Sequence, residues 1–232
     1  MTIKKAMILA AGFGKRMLPL TEKTPKALLK VGSKNLLERS IELLIRIGID
    51  ELVINTHYLS HEIDNFLKNK NYGISISTIK EDELLDTGGG ILNATISFEN
   101  DPFFVLNPDT IWNKNYYEEL KILENLYLEN NKPVLLLVDK IKSHDKSFKG
   151  DFNFKKNKYI IRETYNQYIF TGAQIINRSI FESIKKNFFS MNLIWNQMIK
   201  EKKLLGQVSN QTFFHINNIK VYEELNKLKF ID

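Results

Sequence analysis

The stretch LAAGFGKRMLPLTEKTPKALL, residues 9–29, continues a short apolar segment, Ala6 to Ala11, and joins it to a glycine turn. Polar residues precede this segment and glycine ends it, which predicts a buried strand. Gly12 and Gly14 then allow the backbone to approach an anion closely, with its amide groups directed inward. The order of strand and glycine turn indicates an anion-binding loop at the end of a first strand.

Three cations follow the two glycines. Lys15 and Arg16 come directly after the turn, and the Arg16 guanidinium can bind two phosphate oxygens at once. Lys26 stands in a rigid Thr-Pro-Lys turn further along. Cations on both sides of a backbone nest suit a polyphosphate better than a single phosphate.

Two other glycine motifs are excluded. A dinucleotide fingerprint needs a third glycine, but Met17 stands at that position and Pro19 follows. A P-loop needs four residues between its glycines and then Lys-Ser or Lys-Thr, and the chain has no such run.

The pattern L-A-A-G-x-G-x-R-M, followed by P-x-T and P-K-A-L, resembles the signature of the sugar-1-phosphate nucleotidylyltransferases. These enzymes join a nucleoside triphosphate (NTP) to a sugar 1-phosphate and release pyrophosphate. The resemblance implies that Lys26 contacts the α-phosphate and, with Arg16, takes part in catalysis. The residues that it assigns to the triphosphate are Ala10, Ala11, Gly12, Gly14, Lys15 and Arg16.

A second motif, EDELLDTGGGI at residues 81–91, places three glycines at the start of a predicted helix. Glycine in a helix costs about 1 kcal/mol relative to alanine, so a triplet there implies that bare backbone is needed. We expect Thr87 to cap the helix and a base or sugar to lie against the glycines. The motif resembles the branch that includes the N-acetylmuramate-1-phosphate uridylyltransferases, which implies that Glu81 and Gly88, Gly89 and Gly90 line the nucleobase and ribose pocket.

A third motif, FFVLNPDTIW, ends an apolar strand in Asn107, Pro108 and Asp109. A carboxylate at the carboxyl end of a central strand suits Mg²⁺ held between phosphates. We therefore predict Mg²⁺ as cofactor, with Asp109 as ligand and catalytic residue. The resemblance implies that Asn107 binds a sugar hydroxyl. The chain departs from the family pattern at Pro108, where the family usually has Gly or Ser.

The late part of the chain departs from the family once more. Related enzymes carry a second metal-binding Asp in a W-x-D-x-G-T segment, and His215 matches that Asp here. Imidazole is a poorer Mg²⁺ ligand than carboxylate, so His215 is expected either to act through a water or to leave the metal to Asp109 and the phosphates. For the sugar side, small residues of a strand allow close approach at Thr171 and Gly172. Asp151 resembles a nearby family segment.

Strands and helices alternate over the first 140 residues, which predicts an α/β, Rossmann-like, mostly parallel sheet with helices on both faces. The predicted helices include residues 36–47, 59–69, 89–98 and 115–129, and the strands residues 51–57, 73–79, 103–107 and 133–139. Residues 148–165 are expected to form a hairpin and 168–176 a strand. Helices near 179–187 and 191–202, a strand near 213–216 and a terminal helix complete the β-rich, sugar-binding second half.

We expect one domain over residues 1–232, with residues 1–140 binding the nucleotide and 141–232 the sugar phosphate. The chain has no cysteine, which excludes disulfides and thiolate sites and fits the cytoplasm. No apolar run approaches the roughly 18 residues of a membrane span. The net charge is +6, but the lysines are scattered along the chain and lack the interleaved aromatics of a nucleic-acid surface.

UTP and N-acetylmuramate 1-phosphate are the first choice of substrates, and GTP with mannose 1-phosphate is the second. A regulatory relative that binds a nucleotide-sugar without turnover is the non-enzymatic alternative, and intact Arg16, Lys26 and Asp109 argue against it. The carboxylate of muramate should need a cation, and Arg162, Arg178 and nearby lysines are all candidates. No appended acyltransferase domain is expected.

Overall fold

The structure is a computed structural model that describes residues 2–228. The strands in chain order are β1 (Lys5–Leu9), β2 (Lys30–Val31), β3 (Lys34–Asn35), β4 (Glu51–Thr56), β5 (Ser75–Lys80), β6 (Phe103–Leu106), β7 (Val134–Asp139), β8 (Asn153–Phe154), β9 (Ile160–Ile161), β10 (Tyr168–Ile176) and β11 (Leu205–Ser209). The α-helices are α1 (Leu36–Ile47), α2 (Ser60–Lys68), α3 (Asp86–Ala94), α4 (Tyr116–Asn130), α5 (Met191–Lys200) and α6 (Ile219–Asn226).

Seven strands form one sheet in the order β11-β7-β10-β6-β1-β4-β5. Strand β10 runs antiparallel to both of its neighbours, and all the other neighbouring pairs are parallel. The predicted fold class, a mostly parallel α/β sheet, is confirmed. Strands β10 and β11 come from the second half of the chain, so both halves contribute to one sheet.

Two separate cores lie on the two faces of this sheet. Ala6 and Ile8 of β1 face a core that includes residues of α1 and α4. Met7, between them, faces a core that includes residues of α3 and α5. Because successive side chains of a strand point to opposite faces, the continuous apolar sequence of β1 is explained by burial on both sides.

Helix α1 matches its predicted bounds because local signals define both of its ends. The Asn35 side chain accepts a hydrogen bond from the amide of Glu38 at 2.7 Å. Gly48 ends the helix with φ of 100°, a left-handed conformation that glycine adopts without strain.

Two predictions about the second half were wrong, one strand was missed, and one hairpin is shorter than predicted. Residues 178–181 form only a short 3₁₀ turn and the chain from 182 to 190 is irregular, because the backbone of Phe189 bonds to α3 instead of to its own neighbours. The segment near residues 213–216 makes isolated bridges to Thr110 and Ser143 rather than a strand. Strand β11 was not predicted, and the hairpin of residues 148–165 is reduced to the two-residue strands β8 and β9.

The parallel strands β1, β4, β5 and β6 all end at the same edge of the sheet. Strand β10 begins beyond that edge, because Ala173 pairs with Leu106 at the end of β6. Loops from both halves of the chain therefore meet there, as expected for a ligand site in a sheet of this type. No helix within residues 2–228 is long and apolar enough to cross a membrane.

Candidate active site

A cavity of about 400 Å³ opens at the carboxyl edge of the sheet. The loops after β1, β5 and β6 contribute to its wall, together with Asn55 near the end of β4 and a residue that precedes α6. The polar or glycine residues and the alanines that line it are Ala10, Ala11, Gly12, Gly14, Lys15, Arg16, Lys26, Ala27, Asn55, Glu81, Asp86, Thr87, Asn107, Asp109 and Asn217. Most of the predicted triphosphate-binding and catalytic residues are thus brought together.

The loop after β1 has an open, positively charged surface. Gly14 has φ of 64°, and its carbonyl accepts hydrogen bonds from the Met17 amide at 2.8 Å and the Thr21 hydroxyl at 3.0 Å. Lys15 and Arg16 are exposed, and within residues 2–228 neither forms an ion pair. Their charge is available to an anion in the cavity.

Asp109 is held between two basic side chains. The Lys26 amine lies 2.6 Å from Oδ2 of Asp109, and Nε2 of His215 lies 3.3 Å from its Oδ1. Burial alone would raise the pKa of the Asp109 carboxyl, but the charges of Lys26 and His215 and the hydrogen bond from Lys26 outweigh burial and hold that pKa below its usual value. Asp109 is therefore ionised at neutral pH.

The donor set at Asp109 fits a hard divalent cation. Its Oδ1 atom is buried and has no hydrogen bond of good geometry to the described part of the chain. Nδ1 of His215 is likewise buried and has no hydrogen-bond partner there. Residues 2–228 contain no cluster of three or more metal-ligating side chains. Mg²⁺ is commonly bound through one or two carboxylates and takes its other ligands from phosphates and water, so the Asp109 carboxylate meets that requirement, with His215 beside it.

A buried network connects the loop after β1 to the loop after β5. The Asn55 side chain accepts a hydrogen bond from the amide of Ala10 at 2.9 Å and donates one to Glu81 at 2.6 Å. Glu81 is 2% exposed, and its second oxygen accepts a hydrogen bond from the amide of Leu85 at 3.0 Å. Asn55 was not predicted as a site residue.

The glycine triplet does not line the cavity. Gly88, Gly89 and Gly90 are all buried, and the amides of the first two donate hydrogen bonds to the carbonyl of Phe189 at 2.9 and 3.0 Å. A Cβ atom at Gly89 would lie 2.0 Å from the carbonyl oxygen of Asn187. The missing side chains of Gly88 and Gly89 thus make room for the chain's own residues 187–189, and a role of the triplet in the nucleobase pocket stays a prediction.

Thr87 also differs from its prediction as a helix cap. It lies inside α3, and its hydroxyl accepts a hydrogen bond from the amide of Met191 at 2.9 Å, at the start of α5. Thr87 therefore fixes the end of α5 at the wall of the cavity.

Of the four residues predicted for the sugar side, Asn107 alone lines the cavity. Gly172 has φ of 94°, and a Cβ there would lie 2.9 Å from Cβ of Asn107, so glycine serves the contact between the two strands. The Thr171 hydroxyl is buried and donates to the carbonyl of Leu136 at 2.9 Å. Asp151 is exposed and accepts a hydrogen bond from the amide of Phe170 at 2.9 Å.

Asn217 is a further polar residue of the cavity that the sequence motifs did not indicate. Its amide donates to Oδ2 of Asp145 at 2.7 Å, and its oxygen accepts a hydrogen bond from Asn218. The Asn218 side chain in turn caps α6 through the amide of Val221. No residue pattern around Asn217 distinguishes it from the other asparagines of the chain.

Comparison with known proteins identifies relatives over much of the chain. The sequence model of the nucleotidyl transferase family matches residues 5–146. The chain is 34% identical over 185 residues to N-acetylmuramate alpha-1-phosphate uridylyltransferase of Neisseria meningitidis serogroup B, covering 78% of both chains. It is 38% identical over 113 residues to the Caulobacter vibrioides protein of the same name, covering 47% of each. It is 37% identical over 111 residues to mannose-1-phosphate guanylyltransferase catalytic subunit beta of Xenopus tropicalis, covering 46% of this chain and 31% of that one. The chain thus spans less than half the length of the last two relatives.

Solved structures share the fold at low sequence identity. UDP-glucose pyrophosphorylase complexed with UDP-glucose superposes with a TM-score of 0.78 at 18% identity, covering 97% of both chains. HddC from Yersinia pseudotuberculosis complexed with GMP-PN superposes with a TM-score of 0.76 at 22% identity, covering 97% of this chain and 99% of the other.

Proposed function

Since the chain belongs to the nucleotidyl transferase family, we propose that it joins an NTP to a sugar 1-phosphate, releasing pyrophosphate and forming a nucleotide-sugar. One observation carries the proposal. The glycine loop and Lys26 line one cavity together with Asp109, at the carboxyl edge of the sheet. Asp109 is remote from both in the sequence but is paired with Lys26 in the structure.

The reaction is an in-line transfer at the α-phosphorus. A phosphate oxygen of the sugar 1-phosphate forms the new bond, the bond to the β-phosphate oxygen breaks, and pyrophosphate leaves with the electron pair. The attacking group is already an anion, so no general base is needed and catalysis depends on alignment and charge neutralisation. Lys26 and Arg16 supply positive charge from the chain itself.

Asp109, with His215 beside it, would hold Mg²⁺ in this cavity. When bound, the metal would neutralise negative charge on the substrate phosphates. The Asp109 carboxylate is suited to this role because it is ionised and its buried Oδ1 atom lacks a hydrogen bond within the described chain.

UTP and N-acetylmuramate 1-phosphate are the proposed substrates. Two relatives bear the name of that activity, and the DTGGG segment resembles the same branch. GTP and mannose 1-phosphate are the second candidate pair, because a relative of similar identity is named as a mannose-1-phosphate guanylyltransferase.

A matrix of substrates tests the proposal. Four NTPs are combined with the 1-phosphates of N-acetylmuramate, N-acetylglucosamine, glucose and mannose, and pyrophosphate release is measured with Mg²⁺ present. We expect the highest kcat/KM for UTP with N-acetylmuramate 1-phosphate. Turnover with GTP and mannose 1-phosphate alone would support the second pair, and binding of UTP with no product in any combination would support a regulatory protein.

Variants of the two central residues test the assignment of the site. Lys26→Ala and Asp109→Ala should each lower kcat by about 100-fold or more, because the first removes a positive charge beside the reacting phosphates and the second removes the proposed ligand of Mg²⁺. Lys220→Ala removes an amine from a side chain that is 86% exposed and serves as the control, with no expected change. Near-normal turnover in a folded Lys26→Ala or Asp109→Ala variant would contradict the assignment.

A further inference from the structure

The guanidinium of Arg162 is held in place by uncharged groups. It donates hydrogen bonds to the side-chain oxygens of Asn196 at 2.7 Å and Asn192 at 2.5 Å, both on α5. Its Cζ atom lies 4.6 Å from the centre of the Phe152 ring and 6.0 Å from that of Trp195. The side chain is therefore oriented before any ligand arrives.

Arg162 keeps both charge and donors for a ligand. A guanidinium has five N–H groups, and the two asparagines accept hydrogen bonds from only two of its nitrogens. Within residues 2–228 it forms no ion pair, although the charge of Asp151 acts on it electrostatically. A planar, fixed guanidinium with free N–H groups matches the two oxygens of a carboxylate.

Two chains of contacts connect Arg162, which does not itself line the cavity, to residues at the cavity. On one path, the cavity residue Thr87 holds the amide of Met191, and Asn192, the next residue of α5, contacts Arg162. On the other path, the Asp151 carboxylate accepts a hydrogen bond from the amide of Phe170. Phe170 lies in the first part of β10, which extends beyond the end of β6 and Asn107. The ring of Phe152, the residue after Asp151, lies against Arg162.

Three of the other candidate cations are engaged elsewhere. Arg178 donates to the carbonyl of Leu92 and the hydroxyl of Thr95, at the end of α3 that is remote from Thr87. Lys142 and Lys146 donate to backbone carbonyls of their own surroundings.

We infer that Arg162 selects an acidic acceptor, by binding the carboxylate of the sugar 1-phosphate through paired hydrogen bonds. The inference rests on the proposed function, because it assumes that a sugar 1-phosphate occupies the cavity. N-acetylmuramate differs from N-acetylglucosamine by a lactyl ether that carries a carboxylate, so the two sugar phosphates differ in the group that Arg162 would bind.

The test compares these two sugar phosphates with UTP in the wild type and in Arg162→Gln. The variant should lower kcat/KM for N-acetylmuramate 1-phosphate by about 10- to 100-fold, mainly through KM, because a hydrogen bond to a charged group is lost. The value for N-acetylglucosamine 1-phosphate should stay within about twofold, since that sugar has no carboxylate. Arg162→Lys keeps the charge but not the paired N–H groups of the guanidinium. Its kcat/KM for N-acetylmuramate 1-phosphate should lie between the values of the wild type and Arg162→Gln.

Arg178→Gln is the matched control, and the ratio of the two kcat/KM values should be unchanged in it. An equal loss with both sugar phosphates, or an unchanged ratio in Arg162→Gln, would overturn the inference while leaving the proposed function in place. A wild type that turns over mannose 1-phosphate but neither of these sugars would overturn the proposed substrates and the inference together. Melting temperatures of all variants show whether a loss comes from unfolding.

Discussion

Asp109 combines a structural requirement with the catalytic role proposed for it. A carboxylate at this depth would be costly without partners, and Lys26 and His215 provide them. The rings of Phe213 and Phe148 pack against His215, with centroids 5.8 and 5.6 Å away, and fix the imidazole beside the carboxylate. In the proposed reaction the phosphates of the substrates become partners of Lys26.

Gly12 and Gly90 lack a side chain for different reasons. A Cβ at Gly12 would meet no atom within 4 Å, whereas a Cβ at Gly90 would lie 2.7 Å from Oε1 of Glu81 and 2.8 Å from Nδ2 of Asn55. Gly12→Ala should leave stability within about 0.5 kcal/mol and raise the KM for the NTP by about 10- to 100-fold, because the methyl group intrudes on the phosphates.

Gly90→Ala should instead destabilise the fold by about 1–3 kcal/mol, since Glu81 and Asn55 are buried and bonded to each other. The melting temperature and the KM for the NTP are measured for both variants. The opposite pattern, with Gly12→Ala unstable and Gly90→Ala as stable as the wild type, would contradict the assigned roles.

At the scale of elements, prediction succeeded where the determinants are local. Helix α1 was predicted to the residue because a capping Asn35, an amphipathic sequence and Gly48 occur next to one another in the chain. The glycine loop was likewise predicted from adjacent residues. Its resemblance to the nucleotidylyltransferases is confirmed by the family match.

Prediction failed where a remote segment decides the local structure. The irregular chain before α5 is set by hydrogen bonds between Phe189 and α3, about a hundred residues earlier in the sequence. The same contacts explain the glycine triplet, whose sequence alone gives no sign of which group approaches it. Strand β11 depends on pairing with β7, and Asn217 enters the cavity only because α6 and its cap position it.

The helix caps yield a prediction at this scale. Asn35 and Asn115 both precede helices, but only the Asn35 side chain accepts a hydrogen bond from its helix. Asn35→Ala should cost about 1 kcal/mol of unfolding free energy, because a buried cap is lost. Asn115→Ala is the matched control and should be within about 0.3 kcal/mol of the wild type. Chemical denaturation measures both, and equal losses would show that the two caps are equivalent.

At the scale of the whole molecule, the sheet separates two cores, and the cavity lies at the edge where both meet. Strand β1 belongs to both cores and leads directly into the glycine loop. The loop after β6 carries Asp109, and this loop contacts β10 through the hydrogen bond from Asn107 to Gly172. The site is thus assembled from loops attached to central, buried strands, which keeps its groups in register.

Because loops of the first half of the chain and Asn217 of the second half line the cavity, a bound nucleotide should stabilise the molecule as a unit. UTP with Mg²⁺ at 100 times its Kd should add about 2.7 kcal/mol to the unfolding free energy, which raises Tm by about 5–10 °C for a chain of this size. Arg16→Ala removes an exposed cation of the cavity that has no ion pair within residues 2–228, so the apo variant should melt like the wild type but show a smaller shift at the same UTP concentration.

NADH, whose binding motif the glycine loop lacks, is the control ligand and should give no shift. Thermal unfolding followed by circular dichroism measures each case, and an equal shift with NADH and UTP would contradict a site specific for a triphosphate.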